Sequence, residues 1–241
     1  MVRWNLRNKS KKITLLRALS KMGVASRTIA RDLIKAGQIK IGQKTIRDPE
    51  FKVEIPIQNL LVNDQPVKKL QKVYYMMHKP KGVITTRSDE KGRKTIYDLL
   101  NPDLPWIFPV GRLDRETSGL LLLTNDTDWG NQMASPAEKI SKTYHVKLNK
   151  NVKEEELQKL RKGLSLSPEL IYLPAKVEKI RENSKTCWIE ITLAEGKNRQ
   201  IRKMFEHLNY QVENLVRIKI GKLVLGTLKP GEIRPILPHE V

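Results

Sequence analysis

From residue 13 the apolar residues recur with a helical period. Leu15, Leu16, Leu19 and Met22 predict a helix over 13–22, stopped by Gly23. Ser26 fits the N-cap of a second helix, whose apolar face is Ile29, Ala30, Leu33 and Ile34 and which Gly37 ends. The period then changes to two. "QIKIGQKTI" places Ile39 and Ile41 on one side of a strand that turns at Gly42; Asp48-Pro49 marks another turn, and "FKVEI" reads as a further strand. Two basic helices and short strands make residues 13–60 a unit of about the smallest independent size. Residues 61–72, with Asn63-Asp64, Pro66 and Lys68-Lys69, read as a linker, and residues 1–12 as a loose basic arm.

From residue 73 strand-like runs dominate: "KVYYMMHK", "GVITT", "WIFPVG", "GLLLLT", "TYHVKL", "CWIEITL", "VRIKIG" and "KLVLG". Helical stretches are fewer, at roughly 94–100, 129–134, 153–162 and 198–208. Strands outnumber helices without alternating regularly with them. The expected class is α+β: a small N-terminal α/β module, then a larger domain over 73–241 with a mainly antiparallel mixed sheet flanked by helices.

Charge narrows the partner. The 241 residues hold 46 Lys and Arg against 26 Asp and Glu, a net charge of +20. Self-repulsion of that size points to a polyanionic partner, with nucleic acid ahead of an anionic membrane surface. No acidic residue precedes Asp32, and Arg17, Lys21, Arg27 and Arg31 recur along both predicted helices. No apolar run approaches the roughly 20 residues of a membrane span, and "MVRWNLRNKSKK" lacks the apolar stretch of a signal peptide. A single cysteine, Cys187, allows no internal disulfide, which fits a reducing cytoplasm; it lies in a predicted strand and reads as packing.

Three stretches carry candidate chemistry. In "GRLDRETSGLLLLTND" (111–126), Asp114 lies between Arg112 and Arg115 on a loop. The strand that follows is apolar on both faces, so the loop projects from a buried, rigid base. A reactive carboxylate facing RNA needs neighbouring cations, both to stay ionised and to escape phosphate repulsion. In "EGKNRQIRKMFEHL" (195–208), Ile201, Met204, Phe205 and Leu208 share one helical face, while Lys197, Arg199, Arg202 and Lys203 crowd the first turns. The helix dipole opposes cations there, so a nearby anion is expected. In "KTYHVKL" (142–148), Tyr144, Val146 and Leu148 fall on one face of a strand. Read from residues alone, Asp114 also fits a surface ion pair, the cations a solvated face and Tyr144 a core aromatic.

Other chemistries lack their residues. His78, His145, His207 and His239 match no zinc spacing, and there is neither a Walker loop nor a dinucleotide fingerprint. Ser118 lacks the Gly-x-Ser-x-Gly elbow. Asp126 and Asp128 begin like a calcium loop but lack its later glycine and glutamate, and read as turn residues.

"GRLDRETSGLLLLTND" closely resembles the signature of the RsuA family of bacterial ribosomal-RNA pseudouridine synthases. "KTYHV" and "GKNRQIRKM" resemble the family's second and third motifs, "YYMMHKPKGVITT" its opening strand and turn, and residues 13–60 the S-four-type RNA-binding domain often attached in front. The resemblance implies a pseudouridine-synthase domain that detaches uracil from ribose and reattaches it through carbon, without a cofactor or a metal. It implies Asp114 as the nucleophile, attacking either the base or the anomeric carbon, and Arg202 as the cation beside it. Tyr144 matches a tyrosine that stacks on the base and helps move its proton. Arg112 matches an arginine that fills the gap left by the flipped uridine, and Ile201 lines the pocket. Lys197 and Arg199 join the RNA-binding set. By the same resemblance, Asn198-Arg199-Gln200 in the third motif implies a lean toward large-subunit, 23S rRNA. The expected partner is ribosomal RNA, for a cytoplasmic monomer with no membrane and no obligate protein partner. The rival readings are a noncatalytic RNA-binding assembly factor and a related synthase acting on small-subunit rRNA or tRNA.

Overall fold

The computed structural model describes residues 12–67 and 71–240, so nearly all of the expected basic arm lies outside the described residues. The chain forms two compact units. Of the described residues, one comprises those up to 73 with the short segments 105–108 and 125–128; the other comprises 74–104, 109–124 and those from 129 on.

The first unit runs β1 (Ile13–Thr14), α1 (Leu15–Lys21), α2 (Arg27–Lys35), β2 (Ile39–Ile41), β3 (Lys44–Ile46), β4 (Lys52–Val53), β5 (Leu60–Val62) and β6 (Gln65–Pro66). The expected first helix starts later, because Ile13 and Thr14 pair with β4. The Thr14 hydroxyl then caps α1 by accepting from the Arg17 N–H at 3.2 Å, and Ser26 caps α2 by accepting from Ile29 at 3.3 Å. Leu15, Leu19, Ala30, Ile34 and Ile39 are fully buried and bind both helices to the sheet β3-β2-β5-β6.

The start of the expected 61–72 linker is part of this sheet. Leu61 and Val62 extend β5, and β6 folds back on it with Val62 opposite Gln65. Asn63 and Asp64 both have positive φ, 52° and 62°, as a two-residue hairpin turn requires. Asn-Asp followed by proline thus marks a hairpin rather than a break. Pro66 is tolerated because β6 is an edge strand.

The second part of the chain supplies β7 (Tyr74–Lys79), β8 (Phe108–Val110), β9 (Ser118–Thr124), α3 (Thr127–Ala134), β10 (Lys142–Leu148), α4 (Glu154–Lys162), β11 (Leu164–Ser167), β12 (Leu170–Tyr172), β13 (Lys176–Glu182), β14 (Cys187–Leu193), α5 (Gln200–His207), β15 (Val212–Ile220), β16 (Leu223–Val224) and β17 (Ile233–Pro235). Its main sheet has the order β13-β14-β10-β15-β9-β7-β17, with β16 on β15 and β8 on β9. The β9–β15 pairing is parallel; the pairings flanking it, β10–β15 and β7–β9, are antiparallel. "GVITT" forms only a bridge from Ile84 to Thr95.

Leu120 to Leu123 are all fully buried, as a strand apolar on both faces demands. Leu120 and Leu122 join one core with Met76 and Ile220; Val146, Ile189, Met204 and Phe205 form another under α5. Gly119 has φ +107°, and a Cβ there would stand 2.2 Å from the Arg217 carbonyl oxygen, so only glycine lets β9 and β15 meet. Cys187 is buried in β14 and burial pushes its thiol pKa up, in keeping with packing. Among the described residues no helix is long and apolar enough to cross a membrane.

Candidate active site

Asp114 sits on a loop fastened at several points. The neighbouring Leu113 is buried, and its N–H donates to the Thr85 hydroxyl (3.3 Å), which itself donates to the Leu113 carbonyl (2.9 Å). The Thr117 N–H donates to the Asp114 carbonyl at 3.0 Å, closing a turn, and the Gly82 N–H holds the Arg115 carbonyl at 2.8 Å. The side chain of Asp114 remains 37% exposed and faces a cleft of about 450 Å³.

The other wall is the segment entering α5. Glu195 accepts from the buried Gln200 amide at 2.6 Å and from the Leu173 N–H at 2.9 Å, while Gln200 accepts from the Lys197 N–H at 3.2 Å. This brace holds Arg199, the N-cap, in the left-handed conformation at φ +51°, unusual for a residue with a side chain. From there its guanidinium reaches toward the carboxylate, with Nη1 4.0 Å from Asp114 Oδ2.

Arg202 does not take the place the sequence suggested for it. It makes no ion pair with Asp114 within 4.0 Å, and instead donates to the Glu116 carbonyl at 2.8 Å and the Val212 carbonyl at 3.0 Å. Its pKa is lowered by burial and by the charge of Arg199, against opposing pulls from Asp114 and Glu116. The reason is local geometry. Arg202 lies within the helix and meets the backbone of the Asp114 loop, whereas Arg199 at the cap is free to turn into the cleft.

The remaining wall is sheet. Tyr144 on β10 lines the cleft half-buried, in register with Ile191 of β14 and Arg217 of β15. A register shift falls between Thr143 and Tyr144, a device that re-aims a side chain. Lys142 also lines the cleft, its pKa lowered by burial and then by Arg217. Ile201 is buried in the wall, and Arg112 is exposed at the cleft. Lys197 is tied to the protein through Glu195 at 3.3 Å, the Ile171 carbonyl and the Tyr172 ring.

Besides Lys142, two further cations were not among the expected site residues. Arg217 is only 4% exposed and donates from Nε to the Leu120 carbonyl at 2.7 Å. Lys79 is fully buried and donates to the carbonyls of Val83 (2.6 Å) and Pro80 (3.0 Å). Burial lowers its pKa to about 8; Asp114 and Glu116 oppose the shift and Arg217 adds to it. The signal available for Lys79 was a charged residue ending a largely apolar strand; Arg217 lies in a strand that also carries Glu213, Asn214 and Lys219, so nothing in the spacing marks it.

The cleft therefore gathers Asp114, Tyr144, Arg202, Arg112, Ile201, Arg199 and Lys197. Arg17, Lys21, Arg27 and Arg31 belong to the helices of the first unit. Arg17, Arg27 and Arg31 are exposed, but Lys21 is paired with Asp128 at 2.7 Å within that unit. A single carboxylate free of strong partners, ringed by guanidinium groups and bordered by a tyrosine, can act as a nucleophile toward a polyanionic substrate.

Residues 73–207 match the model of the RNA pseudouridylate synthase family, and residues 14–55 match that of the S4 domain. A ribosomal large subunit pseudouridine synthase B of Bacillus subtilis is 38% identical over 228 residues, covering 94% of this chain and 93% of its own. An uncharacterised RNA pseudouridine synthase of Rickettsia prowazekii is also 38% identical over 228 residues, covering 92% and 93%. A solved pseudouridylate synthase superposes with a TM-score of 0.69 at 28% identity, over 95% of this chain and 97% of that one. With the RsuA-type signature on the Asp114 loop and an S4 domain in front, this chain belongs to the RNA pseudouridylate synthase family.

Proposed function

We propose that this chain converts one uridine of large-subunit, 23S ribosomal RNA into pseudouridine, with Asp114 as the nucleophile. The observation that carries the reading is the state of the two acids in the cleft. Glu195 is occupied by Gln200 and the Leu173 N–H, whereas Asp114 faces the cleft with its ion-pair partner, the Arg199 guanidinium, no nearer than 4.0 Å. The choice of RNA rests on the Bacillus subtilis relative, whose name assigns it to the large subunit.

A stacked uridine is out of reach of any carboxylate, so the nucleotide is extruded into the cleft. Its volume of about 450 Å³ suits a single nucleotide, at the lower end of the ~300–1,000 Å³ usual for ligand sites. Arg112, exposed beside it, takes the vacated place in the RNA. Tyr144 stacks on the base. Asp114 bonds transiently to the nucleotide, the N1–C1′ bond breaks, and the ring returns to C1′ through C5. The C5 proton leaves with help from Tyr144 and N1 ends protonated, so the reaction is redox-neutral. Arg202 holds the loop through the Glu116 carbonyl. The arginines exposed on α1 and α2 meet phosphates and position the enzyme without reading sequence.

Mapping pseudouridines in ribosomal RNA from cells with and without this protein tests the proposal. One position in 23S rRNA should lose its modification. A loss confined to small-subunit rRNA or tRNA contradicts the choice of RNA, and no loss anywhere contradicts the activity.

A further inference from the structure

We propose that Arg217 is a further catalytic residue: its guanidinium donates to a carbonyl oxygen of the target uracil and stabilises the negative charge the ring acquires as the glycosidic bond breaks. The inference rests on the uridine-isomerising reading above.

Arg217 is a cation 4% exposed on a central strand of the sheet, yet among the described residues it forms no ion pair. Its Nε is matched by the Leu120 carbonyl, which accounts for its place at the parallel junction of β9 and β15. That bond leaves the far end of the guanidinium unexplained, since Nη2 is enclosed without any acceptor. A buried, unpaired charge costs several kcal/mol, and a site that tolerates one calls for a ligand that completes it. Two other residues that line the same cleft, Thr117 and Arg202, also carry an enclosed atom without a partner, Oγ1 and Nε respectively.

The missing acceptor belongs to the base rather than to a phosphate. Arg217 and Tyr144 are register partners on β15 and β10, so the group beside the stacked base is this guanidinium. Phosphates of an extruded nucleotide stay with the RNA backbone at the mouth, where the exposed Arg112 and Arg199 are available.

The chemistry requires a cation at that position. When N1–C1′ breaks, its electron pair stays on the ring, which becomes an anion with charge shared between N1 and the two carbonyl oxygens. Attack by a carboxylate on the ring itself also drives electrons onto a carbonyl oxygen. Formation of C5–C1′ uses a ring electron pair, the C5 proton leaves, and N1 is protonated. The charge to be held is therefore transient and lies on the base in either route. A fixed donor aimed at such charge is worth roughly 10²–10³ in rate.

The test uses the full-length protein and an rRNA fragment it modifies. Arg217→Met should lower the single-turnover rate by about 10²–10³ with RNA affinity within about twofold, and Arg217→Lys, which keeps the charge but not the fork, should fall between. With 2-thiouridine or 4-thiouridine at the target, the weakly accepting sulfur should slow the wild-type enzyme at one of the two positions. Arg217→Met should show no further loss with that same RNA. A purely structural arginine would give equal thio effects in wild type and variant, which overturns the proposal; so does the absence of a thio effect at both positions in the wild type. If the wild type modifies no rRNA at all, the proposed function fails instead.

Discussion

The guanidinium of Arg199 stands 4.0 Å from the Asp114 carboxylate, while that of Arg202, three residues on, is anchored to the backbone two residues beyond it, on the Glu116 carbonyl. Under the proposed mechanism, one arginine serves the charge of the nucleophile and the other its position. Arg202→Met strips two carbonyls of a charged donor and should destabilise the protein by about 2 kcal/mol or more, a Tm fall of roughly 4–8 °C. Arg199→Met removes a half-exposed side chain and should leave stability within about 0.5 kcal/mol while slowing turnover roughly tenfold. Thermal unfolding paired with single-turnover kinetics separates the two. Equal Tm losses would contradict this division of labour.

Lys79 should give the protein a pH-dependent stability of definite sign. Its folded pKa is lowered to about 8 from 10.5, chiefly by burial. Below pH 8 both folded and unfolded states carry the proton, and nothing changes. Between pH 8 and 10.5 the folded state has released a proton that the unfolded state keeps, so stability rises with pH. The difference in unfolding free energy between wild type and Lys79→Met should therefore grow across that window, by something on the order of 3 kcal/mol in total. Urea titrations at a series of pH values read it directly; a flat or falling difference contradicts the assignment.

The first unit should contribute phosphate contacts and little sequence preference. Arg17, Arg27 and Arg31 are exposed on α1 and α2, whereas Lys21 is engaged by Asp128. Replacing the three arginines with glutamine should lower the slope of log affinity against log salt by roughly 0.9 for each duplex phosphate no longer neutralised, or about 0.7 where the RNA is single-stranded. The basal single-turnover rate at saturating RNA should be unchanged. An unaltered slope would remove these residues from the interface.

The helices of the first unit were legible because apolar spacing, the Ser26 cap and glycine stops agree with one another, though the Thr14 cap that starts the first of them was not. β9 was legible because four leucines bounded by turn residues admit few other environments. What failed to show were strands whose residues read as something else. β13 escaped because, as an edge strand, it buries only Val177 and reads as a charged run. The hairpin of β5 and β6 was hidden behind residues that mark linkers and type I′ turns alike. In the site, Asp114 and Tyr144 came from motifs, but the exchange of roles between Arg199 and Arg202 depends on a left-handed N-cap that no spacing rule announces. Gly119 and Arg217 become significant only once β9 and β15 are known to run side by side.

The central claim is that the Asp114 carboxylate carries the reaction, and Asp114→Asn tests it most directly. Asparagine nearly preserves shape but cannot act as an anionic nucleophile. With target RNA tritiated at uracil C5, isomerisation releases the label to water. The variant should release none above background, a loss of at least about 10⁴ in rate, while binding the RNA within a few-fold of wild type. Sustained tritium release by the variant would contradict the account.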